Sequence, residues 1–224
     1  MNALLILQAR TGSKRFPNKV LKKVLGIPVI VLIVKRLFFT KKIDKIIVAT
    51  SNNKRDDKLV NIIKRYVEVF RGSEKNVLKR FYCAAKKFNP KFIIRITADC
   101  PFVNSRLIDK MILIAMKKKF DYISNVNPHS FPKGLDIEIF KFSLLKKIYK
   151  TSKNPNILEH VTYSIRKSKK IKKYNLRHKK DYSKFDLCLD YKEDLEKIRK
   201  IYSKYGIFNF SLKKLFYILK NNLC

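Results

Sequence analysis

Between Gln8 and Lys19 the chain reads Gln-Ala-Arg-Thr-Gly-Ser-Lys-Arg-Phe-Pro-Asn-Lys, so Arg10, Lys14, Arg15 and Lys19 flank a single glycine. Gly12 lets backbone approach an anion closely, neighbouring N–H groups can cradle it, and the cations neutralise its charge. This is the chemistry of phosphate binding, although a solvated basic turn uses the same residue types. The spacing is neither the Gly-x-x-x-x-Gly-Lys-Ser/Thr loop nor the Gly-x-Gly-x-x-Gly dinucleotide fingerprint. Asp99 follows the apolar run Phe92–Ile96 and precedes Pro101; its carboxylate suits a hard divalent cation such as Mg2+, which commonly takes one or two protein carboxylates plus phosphate oxygens. Asp190 follows Leu187-Cys188-Leu189 and equally suits the N-cap of a helix beginning near Lys192. In Gly134-Leu135-Asp136-Ile137-Glu138 the alternation places Asp136 and Glu138 on one face of a strand. There they could hydrogen-bond hydroxyl groups, take up a proton, or pair with lysines.

These residues need a scaffold that gathers them. Short β-rich runs are expected at 3–8, 44–50, 67–70, 91–96, 121–125, 135–140, 171–177 and 186–189. Between them, 28–40, 55–66, 75–88, 104–119, 141–150 and 192–204 carry apolar residues at three and four spacing, which predicts helices. Alternation of this kind specifies an α/β fold, a mostly parallel, Rossmann-like sheet covered by helices on both faces. No linker or repeat divides the 224 residues, so a single domain is expected, with 125–134 as its one long loop. In such sheets ligands bind at the carboxyl ends of the strands, where the basic loop, Asp99 and Asp190 all fall.

The ordered set of motifs resembles a family. The first loop is similar to the Gln-Ala-Arg-x-Gly-Ser-x-Arg-x-Pro-x-Lys signature of sugar-acid cytidylyltransferases, and most closely that of the spore coat polysaccharide biosynthesis protein F branch. The resemblance continues through Val48–Ser51, Val69–Glu74, Arg95–Pro101, Phe131–Glu138, Glu159–Thr162 and Leu189–Leu195. It implies a nucleotide-diphospho-sugar transferase-like fold and a CTP-dependent nucleotidyltransferase that joins CMP to a sugar acid. Arg10 and Lys19 would hold the triphosphate and act in catalysis. Gln8, Ala9, Gly12, Ser13 and Thr97 would also bind nucleotide, and Arg71, Gly72 and Ser73 would line the nucleobase pocket. Asp99 and Asp190 would hold Mg2+, while Asp136, Glu138, Glu159 and His160 would bind the acceptor. A homodimer is the implied assembly. Five positions depart from the pattern: Asn18 and Ala98 stand for glycines, Leu158 for an arginine, and Tyr191-Lys192 for Thr-Pro. A nucleotide-sugar glycosyltransferase is a rival reading, but its Asp-x-Asp is absent; a non-catalytic anion- or RNA-binding protein is another.

Composition bounds the rest. The four cysteines form no Cys-x-x-Cys pair and the three histidines have no metal-ligand spacing, so a reduced, cytoplasmic protein is expected. The N-terminal apolar run lacks a basic leader, and Ile27–Val34 is too short to span a bilayer. The formal charge of +36 suggests a polyanion partner, yet twelve arginines are outnumbered by forty-one lysines scattered from Lys14 to Lys220. The enriched residues, Lys, Ile, Asn, Phe and Tyr, share A/T-rich codons, and no arginine-rich stripe marks a specific nucleic-acid surface. Duplex DNA or RNA should therefore bind weakly, without sequence preference, and be lost steeply between low and physiological salt. Electrophoretic mobility across a salt series tests this; a sequence-selective complex surviving physiological salt would restore the nucleic-acid reading.

Overall fold

A computed structural model describes residues 2–207 and 211–221; Cys224 lies outside them. β1 (Ala3–Gln8) explains the layering. Its first five residues are apolar and buried, with Leu5 and Leu7 in one core cluster and Leu4 and Ile6 in another. A strand apolar on both faces must be covered on both. After it come a hairpin of β2 (Lys23–Val24) and β3 (Ile27–Pro28), then β4 (Lys45–Ser51), β5 (Glu68–Gly72) and β6 (Phe92–Thr97), followed by β7 (Tyr122–Ser124), β8 (Glu138–Lys141) and β9 (Lys173–Asn175). Outside the hairpin these form one seven-stranded sheet of order β5-β4-β1-β6-β8-β7-β9. Neighbours from β5 to β6 are parallel, β8 is antiparallel to both β6 and β7, and β7 is parallel to β9. Only β8 is reversed.

One face is covered by α1 (Val29–Leu37), α2 (Asp57–Ile63), α4 (Ser105–Lys117), α8 (Lys192–Tyr205) and α9 (Leu212–Asn221). The other is covered by α3 (Val77–Lys86), α5 (Phe142–Thr151) and α7 (Tyr163–Lys167), with α6 (Pro155–Glu159) leading into α7. In α1, eight of nine residues are buried. Burying each Ile, Val or Leu is worth about 1.5–3 kcal/mol, which outweighs the few tenths that a β-branched residue loses in helix propensity. Asn76 and Asn104 start α3 and α4 by accepting backbone N–H groups of Lys79 and Leu107 at 2.7 and 3.0 Å. No helix among the described residues is long and apolar enough to cross a membrane.

The expected strand at 186–189 is not a strand of the sheet. Leu187 and Leu189 are buried, which mimics strand alternation, but the segment pairs with loops. Leu187 N–H donates to Lys133 O at 3.0 Å and Leu189 N–H to Asp99 O at 2.8 Å. The stretch 176–191 between β9 and α8 is thus a second long irregular segment beside 125–134. The strand expected from residue 135 begins at Glu138, because the preceding turn is fixed differently: buried Asn125 donates to Leu135 O and accepts from Ile137 N–H, both at 2.8 Å. The two-residue turn Leu25-Gly26, with φ of 47° and 78°, makes the β2–β3 hairpin without the usual Asn-Gly signal. Helices α6, α7 and α9 were also not expected; the first two are only five residues long.

Gly134 locks the two irregular segments together. Its φ is +89°, and a Cβ there would lie 2.8 Å from the backbone carbonyl carbon of Leu187. Gly134→Ala is expected to destabilise the fold by about 1–3 kcal/mol from backbone strain alone, with the clash added. Urea unfolding reads this directly, and parental stability would show that the 186–189 segment is not held against this turn.

Candidate active site

The basic loop leaves β1 at the carboxyl edge of the sheet and is pinned from beneath. Asp56, fully buried, accepts from Thr11 N–H at 2.8 Å, Thr11 Oγ1 at 2.6 Å, Thr50 Oγ1 at 3.1 Å, Ser51 N–H at 3.3 Å and Ser51 Oγ at 2.5 Å. Burial disfavours this carboxylate's charge, but the hydrogen bonds from Ser51, Thr11 and Thr50 outweigh it and hold its pKa below the ordinary value. The loop closes on itself where Asn18 N–H donates to Thr11 O at 3.0 Å. Asn18 takes the left-handed conformation, φ 58° and ψ 23°, that a glycine would otherwise supply. A tight turn at Lys19–Leu21 follows and directs Lys19 inward.

There the Lys19 ammonium meets both sequence-singled aspartates: Nζ lies 3.1 Å from Asp99 Oδ2 and 2.9 Å from Asp190 Oδ1. Arg15 reaches the other oxygen of Asp190 at 2.8 Å and stacks over Tyr191. Burial works against the charge of Lys19, but Asp99 and Asp190 raise its pKa overall. Asp99 is likewise held below the usual carboxylate range, because Lys19 and Thr97 outweigh its burial. Asp190 does not cap α8. The N-cap is Tyr191, and Asp194, the third residue of the helix, completes a capping box by accepting the N–H groups of Asp190 at 2.9 Å and Tyr191 at 2.8 Å on its Oδ2. The Asp190 carboxylate is thereby left facing the basic loop.

Around this cluster lies a cleft of about 880 Å³. Gln8, Ala9, Arg10, Gly12, Ser13, Lys19, Thr97, Asp99 and Glu159 all line it, as do Lys14, Arg15, Arg55, Glu74, Arg95 and Ala98. The structure does not bring Arg71, Gly72 and Ser73 into its wall. Arg71 donates instead to Ser51 O at 3.1 Å and Asn53 O at 2.9 Å and pairs with Asp57 at 2.7 Å, so it braces the turn that carries Arg55 and Asp56. From that loop it is Glu74 that reaches the cleft, paired with Arg55. The Arg55 guanidinium packs where a Cβ on Gly12 would stand. His160 ends α6 outside the lining, its carbonyl accepting Tyr163 N–H at 2.9 Å.

Asp136 and Glu138 line a separate chamber of about 90 Å³ that shares Arg95 and Thr97 with the cleft and adds Val126, His129 and Arg166. The buried Glu138 carboxylate is committed to Arg95 and to the Tyr122 hydroxyl. Arg95 in turn donates to Gln8 Oε1 at 3.2 Å, tying the chamber to the basic loop. His129 Nε2 and Asp136 Oδ1 are buried atoms that face each other at 3.4 Å, with no hydrogen bond to any other group. Sequence reasoning missed Asp56, Arg55, Glu74, Arg95, His129 and Arg166. Only the paucity of acids in so basic a chain pointed toward Asp56; the arginines are supplied by distant segments with no local signal.

The residues fit a divalent metal. Two carboxylates already converge on one cationic position at the mouth of an open cleft, and their oxygens are the hard donors that Mg2+ or Mn2+ prefers. Among the described residues no cluster of three or more His, Cys, Asp or Glu side chains offers a closed metal cage. That suits an ion completed by water and phosphate oxygens.

Asp56 sets a testable limit on the loop. Its depressed folded pKa means that its stabilisation is present above the unfolded carboxylate value, near pH 4, and is lost as pH falls through the folded value. Asp56→Asn is expected to cost about 2–4 kcal/mol at pH 7 and to flatten the loss of stability on acidification. Equilibrium unfolding at pH 7 and pH 3 decides it; an unchanged acid limb would remove Asp56 as the anchor.

Comparison with known proteins agrees with this geometry. A cytidylyltransferase family model matches residues 4–220. The chain is 36% identical over 226 residues to Uncharacterized protein MJ1063 of Methanocaldococcus jannaschii, covering 99% of this chain and 92% of that one. It is 34% identical over 212 residues to spore coat polysaccharide biosynthesis protein SpsF of Bacillus subtilis, covering 91% and 87%. The solved structure of a cytidylyltransferase from Leptospira borgpetersenii superposes with a TM-score of 0.95 at 32% identity, covering 100% of this chain and 95% of that one. The basic loop on β1, the aspartates at the sheet's carboxyl edge and this whole-length similarity place the chain in the cytidylyltransferase family of nucleotidyltransferases.

Proposed function

We propose that the protein transfers CMP from CTP to a hydroxyl of a sugar acid, releasing pyrophosphate, to supply an activated sugar for a surface polysaccharide. The observation that carries this is the convergence of Lys19, Asp99 and Asp190 beside a phosphate-binding loop in a cleft large enough for a nucleotide. Six basic and three acidic side chains line that cleft, so it favours a strongly anionic ligand. Arg10, Lys14, Arg15 and Lys19, with the backbone around Gly12, would hold the triphosphate. The pyrimidine would sit toward Arg55 and Glu74, on the loop that begins at Arg71. Asp99 and Asp190 would hold Mg2+, which when bound spreads the charge of the phosphates.

In this reading the acceptor oxygen bonds to the α-phosphorus, the bond from that phosphorus to the bridging oxygen breaks, and pyrophosphate leaves. Lys19 and Arg10 neutralise charge as it accumulates on the departing group. The acceptor lies between Glu159 and the small chamber. There a substituent hydroxyl would hydrogen-bond His129 Nε2 and Asp136 Oδ1, which otherwise face only each other at 3.4 Å. Glu138 orients Arg95 through its ion pair, leaving Asp136 as the carboxylate placed to take the acceptor's proton. The polysaccharide role is suggested by SpsF, and a homodimer by the family resemblance.

Pyrophosphate release measured with CTP, UTP, ATP and GTP against a panel of sugar acids tests the proposal. Release is expected with CTP only when an acceptor is present. Arg10→Ala, Lys19→Ala, Asp99→Asn and Asp190→Asn should each lower turnover by about a hundredfold or more while circular dichroism shows an unchanged fold. Wild-type rates in Lys19→Ala and Asp190→Asn together would remove the proposed catalytic centre.

A further inference from the structure

Lys19 stands where two carboxylates share a cation, and that position is the one a divalent metal would need. Its Nζ is 3.1 Å from Asp99 and 2.9 Å from Asp190, and its side chain is only 11% exposed. The second oxygen of Asp190 is held by Arg15. In the nucleotide-free protein both carboxylates are therefore neutralised from within, by two cations of the same loop that faces the phosphate cleft. We infer that Lys19, seconded by Arg15, acts as an internal counter-cation that excludes divalent metal from Asp99 and Asp190 until a nucleotide triphosphate draws both cations away.

The argument is one of charge. Two cations and two carboxylates form a neutral set; a divalent ion entering that set would face both the largely buried ammonium and the guanidinium at short range. A triphosphate entering the cleft offers those cations a stronger anionic partner. Once they turn to its oxygens, the carboxylates regain their charge just as phosphate oxygens arrive to complete a metal's shell. Metal then enters with the nucleotide or after it, and the free enzyme is kept from sequestering metal that no substrate will use. A ligand shifts such an equilibrium only by its differential affinity for the two arrangements, and here the phosphates supply that difference.

This inference rests on the reading of Asp99 and Asp190 as metal ligands, and the experiment separates the two. Mn2+ serves as the probe, its binding to chelator-treated full-length protein followed by water-proton relaxation. Without nucleotide, wild type is expected to bind weakly, Lys19→Met roughly tenfold or more tightly, and Arg15→Gln severalfold more tightly, since one or two repelling charges are removed. Adding Asp190→Asn to Lys19→Met should abolish the gain. Arg15 is 56% exposed at its side chain, so Arg15→Gln reports even if Lys19→Met fails to fold. Equal nucleotide-free affinity in wild type, Lys19→Met and Arg15→Gln, with Asp190→Asn still weakening Mn2+ uptake in the presence of CTP, would overturn the counter-cation role and leave the metal site standing. A gain that survives Asp190→Asn would also overturn it, because the ion would then lie elsewhere. Indifference of CTP-dependent uptake to Asp190→Asn would remove the metal site and this inference with it.

Discussion

The Lys19 ammonium, held between Asp99 and Asp190, is the interaction on which the arrangement of the site depends. It joins segments separated by 80 and 171 positions in sequence: the basic loop, the end of β6 and the entrance to α8. None of the three is held there by the sheet ladder alone. The approach of 189 to 99 is secured by one backbone hydrogen bond of 2.8 Å, and that in turn requires the bare backbone of Gly134 against Leu187. A charged triad of this kind is weak evidence for stability, since desolvating three ions offsets much of their attraction. Its value is positional, because it brings side chains of three distant segments to one point beside the cleft.

Reversal of β8 has a similar effect on the small chamber. Strand β6 runs toward the cleft and ends there, while β8, antiparallel to it, begins at the same edge, with Arg95 registered opposite Glu138. The last residues of one strand and the first of the next therefore share one rim. A parallel β8 would have carried Glu138 to the far side of the sheet. Glu138, which accepts the Tyr122 hydroxyl, pairs with Arg95 and so fixes it; Arg95 in turn spans the chamber and the cleft through Gln8.

Much of this was legible because it is local. The loop from Gln8 to Lys19 announces itself by charge and a glycine, and β1 by an unbroken apolar run; both lie where the sequence predicts them. Asp190 suited both a cap and a ligand because both roles demand an acid just before a helix, and only the packed start of α8, with Tyr191 as its N-cap, shows that it is not the cap. Segment 186–189 misled because burial of alternate leucines is common to a strand and to a loop sealing a core. Arg71 misled for another reason. A guanidinium near a ligand loop can face the ligand or brace the backbone, and its choice depends on the carbonyls of Ser51 and Asn53, which come from another strand end. Arg95 opens one of the matched motifs but is given no role by it, and His129 and Arg166 left no trace in sequence, since the chamber all three line exists only once β6, the 125–134 loop and α7 are packed together.

The large positive charge takes on a different meaning at this level. Fifty-three basic residues against seventeen acids would strain any compact state by self-repulsion. Several lysines lie over aromatic rings, among them Lys22 on Phe16, Lys35 on Tyr66, Lys87 on Phe88 and Lys167 on Tyr163. Each such contact contributes on the order of 0.5–1 kcal/mol at an exposed site. The few carboxylates are spent at particular points: Asp56 under the loop, Glu138 on Arg95, Asp194 at the start of α8, Asp109 on the backbone N–H groups of Lys41 and Lys42. In such a chain an unassisted carboxylate pair would attract whichever cation came first. Lys19 and Arg15 are cations that the fold itself supplies to Asp99 and Asp190, so in the folded protein the pair is neutralised by the basic loop rather than by the surrounding excess of lysine.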